Sequence, residues 1–301
     1  MGIVPGRNTK KIKQNLIGYS FILPNLAGVI IFTVVPVVLT MLISFTDWDY
    51  TARLLDVRWI GLENFARMWK DRWFLAALRN TLLYSFVTVP ATIFIALVFA
   101  LLVNSFVRYK GLTRLCLFLP YVTNLVVVCY IWKIMLSRNG IITQLVRFLG
   151  AENPPIWLAN SQWALPSLMM ISVWINVGYV FVLYQAALSS IDNDLYEAAI
   201  IDGASWLKRS TRITIPLLSP TTFFILITQL IFSFRMFDQV QILTQGGPGM
   251  ATTVLAHYIY VSAFSFYKMG YASSMTWILF LIIFTVTVIQ WKGQKKWTDI
   301  S

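Results

Sequence analysis

Residues 14–46, 80–107, 115–132, 153–191, 213–234 and 269–291 contain no Asp, Glu, Lys or Arg. A helix that crosses a bilayer needs roughly 20 apolar residues. Each run can therefore hold one, the third by continuing through Ile134–Leu136 past Lys133. Pro154-Pro155 makes the front of 153–191 loop-like and leaves Trp163–Ser189 as the helix. A further uncharged stretch, 239–256, holds Gly246-Gly247-Pro248-Gly249 and reads as a loop with a tight turn. The runs do not alternate as the strands of a membrane barrel would, and a spanning segment must satisfy its own backbone hydrogen bonds. The pattern predicts an all-α membrane protein with six transmembrane helices, at about 17–45, 80–105, 114–137, 163–189, 216–240 and 270–291. They form one membrane domain, 16–292, between tails at 1–15 and 293–301. The first run is too long for a signal-peptide core and lacks a small-residue cleavage site, so it reads as an uncleaved first helix.

Composition agrees: 58% of the 301 residues are hydrophobic and 12% are charged, against about a quarter charged in soluble domains. The net charge of +12 then asks which side the cations face. With both termini inside, the inner face carries Arg7, Lys10, Lys11 and Lys13, then Arg108, Lys110 and Arg114, then Lys208, Arg209 and Arg212, then Lys292, Lys295 and Lys296. The outer side carries fewer, mostly in 47–79 beside Asp47, Asp49, Asp56, Glu63 and Asp71. The bias predicts an N-in, C-in topology. The positive charge is a membrane-surface signal and gives no reason to invoke nucleic acid. Segment 47–79 is rich in tryptophan (Trp48, Trp59, Trp69, Trp73), with a helical pattern from Leu62 to Leu78. It suits either an interfacial belt or a docking surface for an extracytoplasmic partner. Cys116 and Cys129 fall on one predicted helix about 20 Å apart, too far to pair, and read as apolar packing.

Between the fourth and fifth runs lies a segment longer than a connector needs, 192–215. Asp194 and Glu197 have capping-box spacing and predict a helix from Leu195. Gly203 can end it in a left-handed conformation, and Ser205 can cap a second helix from Trp206 to about Thr214. Pro216 disfavours helix at Ile215 and marks the return to the membrane. The small Ala198-Ala199 face admits another protein closely; alternatively, Lys208, Arg209 and Arg212 pin an amphipathic helix to anionic lipid.

Glu197-Ala198-Ala199, three residues, Gly203, nine residues, Ile213, one residue, then Ile215-Pro216 resembles the EAA signature of ABC importer permeases. Ile215 stands where that signature has Leu. "FILPNLAGVIIFTVVPVVLTMLISFTDWD" (21–49), "GLENF" (61–65), "LRNTL" (78–82), "FDQVQILTQGGPG" (237–249) and "YIYVSAF" (258–264) look like the sugar-type members, similar to maltose, multiple-sugar and glycerol-phosphate permeases. The resemblance implies a type I ABC importer permease fold in the bacterial cytoplasmic (inner) membrane. It implies the permease subunit of an ATP-driven, binding-protein-dependent importer of a carbohydrate (oligosaccharide, polyol or related). A non-sugar solute such as glycerol phosphate is the alternative. The implied partners are two cytoplasmic ATPase subunits, a second permease, usually a different chain, and an extracytoplasmic substrate-binding protein. Glu197, Ala198, Ala199, Asp202 and Gly203 then form the coupling helix seated in an ATPase subunit.

The chain has no G-x-x-x-x-G-K-[ST] loop to cradle phosphates. It is expected to be a transport subunit and not an enzyme, with no cofactor or catalytic residue of its own; ATP and Mg belong to the ATPase chains. His257 has no Cys or His companion at ligand spacing, so no metal site is expected. Intramembrane polar residues are the candidates for a solute path. On the fifth helix Gln229, Ser233 and Met236 share a face at i, i+4 and i+7, with Phe232 and Phe237 beside it. Asn124, Asn176 and Tyr179 are further candidates, although such groups also bond helix to helix. Arg235 and Asp238, at i and i+3, are expected to form an ion pair near the outer end. A secondary transporter would need an intramembrane acid–base relay, and Asp238 is the only acidic residue in or beside a span. A membrane enzyme would need a His, Asp or Cys constellation that the sequence does not contain.

Overall fold

The computed structural model describes residues 7–51, 53 and 57–298, so the expected tails at 1–15 and 293–301 fall partly outside it. Its helices, in chain order, begin with α1 (Arg7–Val29), a π-helical turn (Ile30–Val34), α2 (Val35–Ser44) and α3 (Glu63–Met68). Next come α4 (Arg72–Phe106), α5 (Lys110–Val122), α6 (Leu125–Met135), α7 (Ile141–Phe148) and α8 (Ala164–Leu188). The charged segment supplies α9 (Asn193–Ile201), α10 (Trp206–Arg209), a second π turn (Ser210–Thr214) and α11 (Ile215–Leu217). Then follow α12 (Ser219–Phe234), α13 (Asp238–Leu243), α14 (Leu255–Tyr260), a third π turn (Val261–Ser265) and α15 (Met269–Thr298). Among the described residues four helices are long and apolar enough to cross a membrane, or six elements if each of two bent pairs counts as one.

The chain divides into two compact units, Met1–Ala66 with Ser262–Trp277, and Arg67–Val261 with Ile278–Ser301. In the first, the described side chains of α1 and α2 are largely exposed, with Ser44 buried at the end of α2. The loop after it is clipped by polar bonds: Asn64 Nδ2 donates to the carbonyls of Ser44 (3.0 Å) and Thr46 (2.8 Å). The Gly270 N–H donates to Trp48 O at 3.0 Å.

In the second unit α8 is the hub, apolar on every side as a buried helix must be. Val177, Val180, Phe181, Tyr184 and Leu188 pack against Ala96, Ala100 and Val103 of α4 and Ile225 of α12. Leu168, Ile171 and Ile175 pack against Val128 and Cys129 of α6 and Val240 and Leu243 of α13. Lipid is as apolar as leucine, so helices associate here through small residues and polar bonds instead. Ala96 and Ala100 let α4 approach, and Gln185 Nε2 donates to Ala100 O at 2.9 Å. Such a bond stabilises helix association by about 0.6–2 kcal/mol.

Several sequence expectations change. The third span, expected unbroken over 114–137, is α5 and α6 meeting at a 95° bend. Thr123 is extended, and the Asn124 side chain caps α6 by accepting the Val126 N–H at 2.9 Å. Pro120 has already removed one backbone donor from the last turn of α5. Cys116 and Cys129 therefore sit on different helices, the first exposed and the second buried. The expected helix 62–78 is broken at 69–71, where Asp71 caps α4 by accepting from the Trp73 N–H (2.8 Å). The uncharged stretch 239–256, expected to be loop, contains much of α13 and the start of α14.

Ile215 is helical (φ −61°, ψ −45°) despite preceding Pro216. The π turn explains it: the Ile215 N–H bonds to Ser210 O, five residues back, and the widened turn spares the carbonyl that a proline ring would strike. Pro36 likewise follows a π turn, closed by the Val35 N–H on Ile30 O.

Candidate solute cavity and coupling elbow

Two features of the second unit carry chemistry. The first is a cavity of about 420 Å³ walled by α4, α5, α8, α12 and the start of α13. α12 stops at Phe234, and Arg235–Phe237 leave helical geometry before α13 begins at Asp238. This break carries Arg235, Met236, Phe237 and Asp238 into the same wall as Gln229, Phe232 and Ser233. Asn176 of α8 lines it too, its Nδ2 donating to Ser172 O at 2.8 Å. The candidates Gln229, Phe232, Ser233, Met236, Asn176, Arg235 and Asp238 thus meet around one space.

Asn124 and Tyr179 do not line it. Asn124 spends its carbonyl on capping α6, and Tyr179 stacks on Tyr121, a lining residue, at 4.7 Å. Arg235 and Asp238 make no ion pair with each other among the described residues, which corrects the expectation: the i, i+3 spacing brings two side chains together on a continuous helix, and α12 has ended before Arg235 while α13 begins only at Asp238. The wall also holds residues that the sequence reading does not single out, Tyr84, Thr88 and Thr92 of α4 with Ser172 and Gln239. The first three recur every four residues, a stripe that helical periodicity could have revealed. Tyr84 Oη donates to Ser172 Oγ, which donates to Gln239 Oε1, so a buried chain joins α4, α8 and α13 behind the wall.

The lining offers hydroxyls, amides and the rings of Tyr84, Tyr121, Phe232 and Phe237. It holds one cation, Arg235, and one anion, Asp238. Convergent polar groups among apolar and aromatic walls are the make-up of a small-molecule site. Beside it, Phe237 also stacks on His257 (6.2 Å). His257 is buried with Nε2 3.1 Å from Gln241 Oε1, so Nε2 carries the proton and Nδ1 is left without a partner. Burial pushes its pKa below the usual imidazole value, which keeps the ring neutral. Among the described residues no group of three or more His, Cys, Asp or Glu is placed to hold a metal ion.

The second feature is the elbow at 192–217. Asp192, not Asp194, caps α9, its carboxylate accepting the Asp194 N–H at 3.1 Å, so the helix starts two residues earlier than expected. At the other end Gly203 adopts φ +75°. Its N–H bonds to Ile200 O and that of Ala204 to Ala199 O, both at 2.9 Å, the paired closure that a left-handed glycine permits. Ser205 then caps α10, accepting the Lys208 N–H at 3.4 Å. Tyr196 Oη meets Thr214 Oγ1 at 3.0 Å, and Trp206 Nε1 donates to Ser105 Oγ at 2.7 Å. These two bonds brace the elbow to its return helix and to the end of α4. Glu197, Ala198, Asp202 and Gly203 are exposed and Ala199 is half-buried. Leu195, Ile200 and Ile201 are exposed beside them, Ile201 at 86%.

A family described as "Binding-protein-dependent transport system inner membrane component" matches residues 74–291. The probable ABC transporter permease protein YesP of Bacillus subtilis is 34% identical over 95% of this chain and 92% of its own length. The lactose transport system permease protein LacF of Rhizobium radiobacter is 33% identical over 96% of this chain and 98% of its own. A bacterial ABC transporter involved in import of the acidic polysaccharide alginate contains a chain of the same fold. Its TM-score is 0.85 at 23% identity, covering 98% of this chain and all of that one.

Proposed function

This chain belongs to the family of binding-protein-dependent transport system inner membrane components, and from that premise we propose that it is the permease subunit of an ATP-driven importer of an uncharged carbohydrate. The cavity carries the reading. Hydroxyls and amides suit sugar hydroxyls, and aromatic faces suit the apolar faces of sugar rings. Arg235 is offset by Asp238 in the same wall, so the lining has no net formal charge to favour a phosphorylated or acidic solute. Gln229, Phe232, Ser233, Met236 and Asn176 touch the solute, with Tyr84 and Thr88 across the cavity on α4.

The chain forms half of the path; a second permease, a different chain, forms the other half. An extracytoplasmic substrate-binding protein delivers the solute. Two cytoplasmic ATPase subunits bind ATP and Mg and receive the elbow, with Glu197, Ala198, Ala199, Asp202 and Gly203 at the contact. Its exposed Leu195, Ile200 and Ile201 support docking, because such side chains beside charges suit a protein cleft better than water. Closure of the ATPase dimer moves the seated helix, and its caps keep it stiff enough to pass that motion to the spans.

Proteoliposomes holding the complete importer test the reading. Neutral oligosaccharides or polyols should stimulate uptake and ATP hydrolysis, and glycerol phosphate should not. Gln229→Leu should weaken apparent affinity by about 1 kcal/mol, roughly five-fold. An importer driven by phosphorylated solutes alone would overturn it.

A further inference from the structure

A second cavity, of about 550 Å³, lies behind the elbow, where the ends of α4 and α8 meet α9 and α10. Its polar wall includes Asn104, Ser105, Ser189, Asn193 and Thr214, and Arg209 is its one charged lining residue among those described. The Nε of Arg209 is buried without a hydrogen-bond partner, and the guanidinium makes no ion pair among the described residues. A buried cationic donor left unmet is costly, and the hydroxyls and amides around it can share an anion's oxygens. Asp202, the nearest carboxylate in sequence, is exposed and outside the lining, and Asp192 is also outside it and already accepts from the Asp194 N–H. Lys110, whose Nζ donates to Asn104 Oδ1 at 3.3 Å, brings a second cation to the edge. One side is apolar: Trp206 and Phe106 lie 5.2 Å apart, and Phe106 is largely exposed.

We propose that this cavity binds a phosphate-bearing anion, either the phosphodiester headgroup of an acidic lipid or inorganic phosphate, with the Arg209 guanidinium as its main donor. A planar guanidinium matches phosphate oxygens with paired hydrogen bonds, and basic pockets between helices at the inner face suit acidic headgroups. The occupant bridges α4, α8 and α10 and so stiffens the base of the elbow. This goes beyond transport itself and does not depend on which solute the chain carries.

Native mass spectrometry of the whole assembly in phosphatidylcholine nanodiscs tests it, with phosphatidylglycerol or inorganic phosphate added. The native assembly should retain a bound adduct that Arg209→Gln loses, Arg209→Lys retains in part, and Lys208→Gln, on the exposed side, retains fully. Phosphatidylglycerol retained and displacing phosphate identifies a headgroup site; phosphate retained while phosphatidylglycerol fails to compete identifies free phosphate. Equal retention of both by the native chain and Arg209→Gln overturns the proposal. If Arg209→Gln does not assemble, the unaltered assembly decides. Its thermal midpoint should rise with phosphate or phosphatidylglycerol over chloride at equal ionic strength, and no rise with either overturns the proposal.

Discussion

A Cβ built on Gly178 would lie 1.9 Å from the carbonyl oxygen of Leu117, so α5 and α8 touch through backbone at that level. Nothing flexible can yield, because the obstacle is main chain. Gly178→Ala should therefore push the helices apart and destabilise the assembly by about 1–3 kcal/mol or more. Gly111, also on α5, has nothing within 4 Å of its missing Cβ. Gly111→Ala should be neutral or stabilise, by up to about 1 kcal/mol, through the lower freedom of the unfolded chain. Thermal unfolding of the two variants in one detergent checks both. Equal midpoints would mean that the close contact is not formed. Neither glycine looks special in the sequence; the difference lies in what packs opposite, which a single chain's pattern does not carry.

Among the elements, apolar runs are enough to locate long helices, because hydrophobic length is what a bilayer selects. They cannot locate the breaks. The bend at Thr123-Asn124 and the unwinding at Arg235–Phe237 are made by caps and by tertiary packing, which leave hydropathy almost unchanged. The polar face of the fifth helix is legible because Gln229 and Ser233 follow helical spacing, whereas the α4 stripe escapes notice in a long apolar run and α13 is hidden in a stretch that reads as loop. The elbow is more legible, since capping residues and glycine act locally; the shift of its cap from Asp194 to Asp192 is a choice between two nearby acceptors. Its stiffness rests on Gly203. Proline there cannot take φ +75° and deletes the N–H that closes on Ile200 O. In proteoliposomes Gly203→Pro should insert normally yet hydrolyse ATP with little uptake. Gly203→Ala has open space for its Cβ and meets only backbone strain of about 1–2 kcal/mol, so its coupling should fall less. An unchanged ratio of solute imported to ATP consumed in the proline variant would remove the elbow's mechanical role.

For the molecule as a whole, the remaining question is which way it faces, and charge supplies the argument. Arg108, Lys110 and Arg114, and then Lys208, Arg209 and Arg212, occupy two connections on one predicted side, and translocating such clusters is disfavoured. The connection around Glu152, from the end of α6 to the start of α8, has only Arg138 and Arg147 for cations. If that bias sets orientation, Glu152 lies outside the cell and Glu197 inside. Both are exposed, so a cysteine at either is open to a reagent from its own side. Cys116 is exposed and must first be replaced by alanine, whereas buried Cys129 can stay. With a membrane-impermeant maleimide on intact spheroplasts, Glu152→Cys should label at once and Glu197→Cys only after the membrane is opened. The reverse order would put the elbow on the outer face, beyond the reach of any cytoplasmic ATPase. It would then defeat the coupling mechanism even if the cavity still bound a sugar, which is why orientation is the measurement on which the two halves of the mechanism stand together.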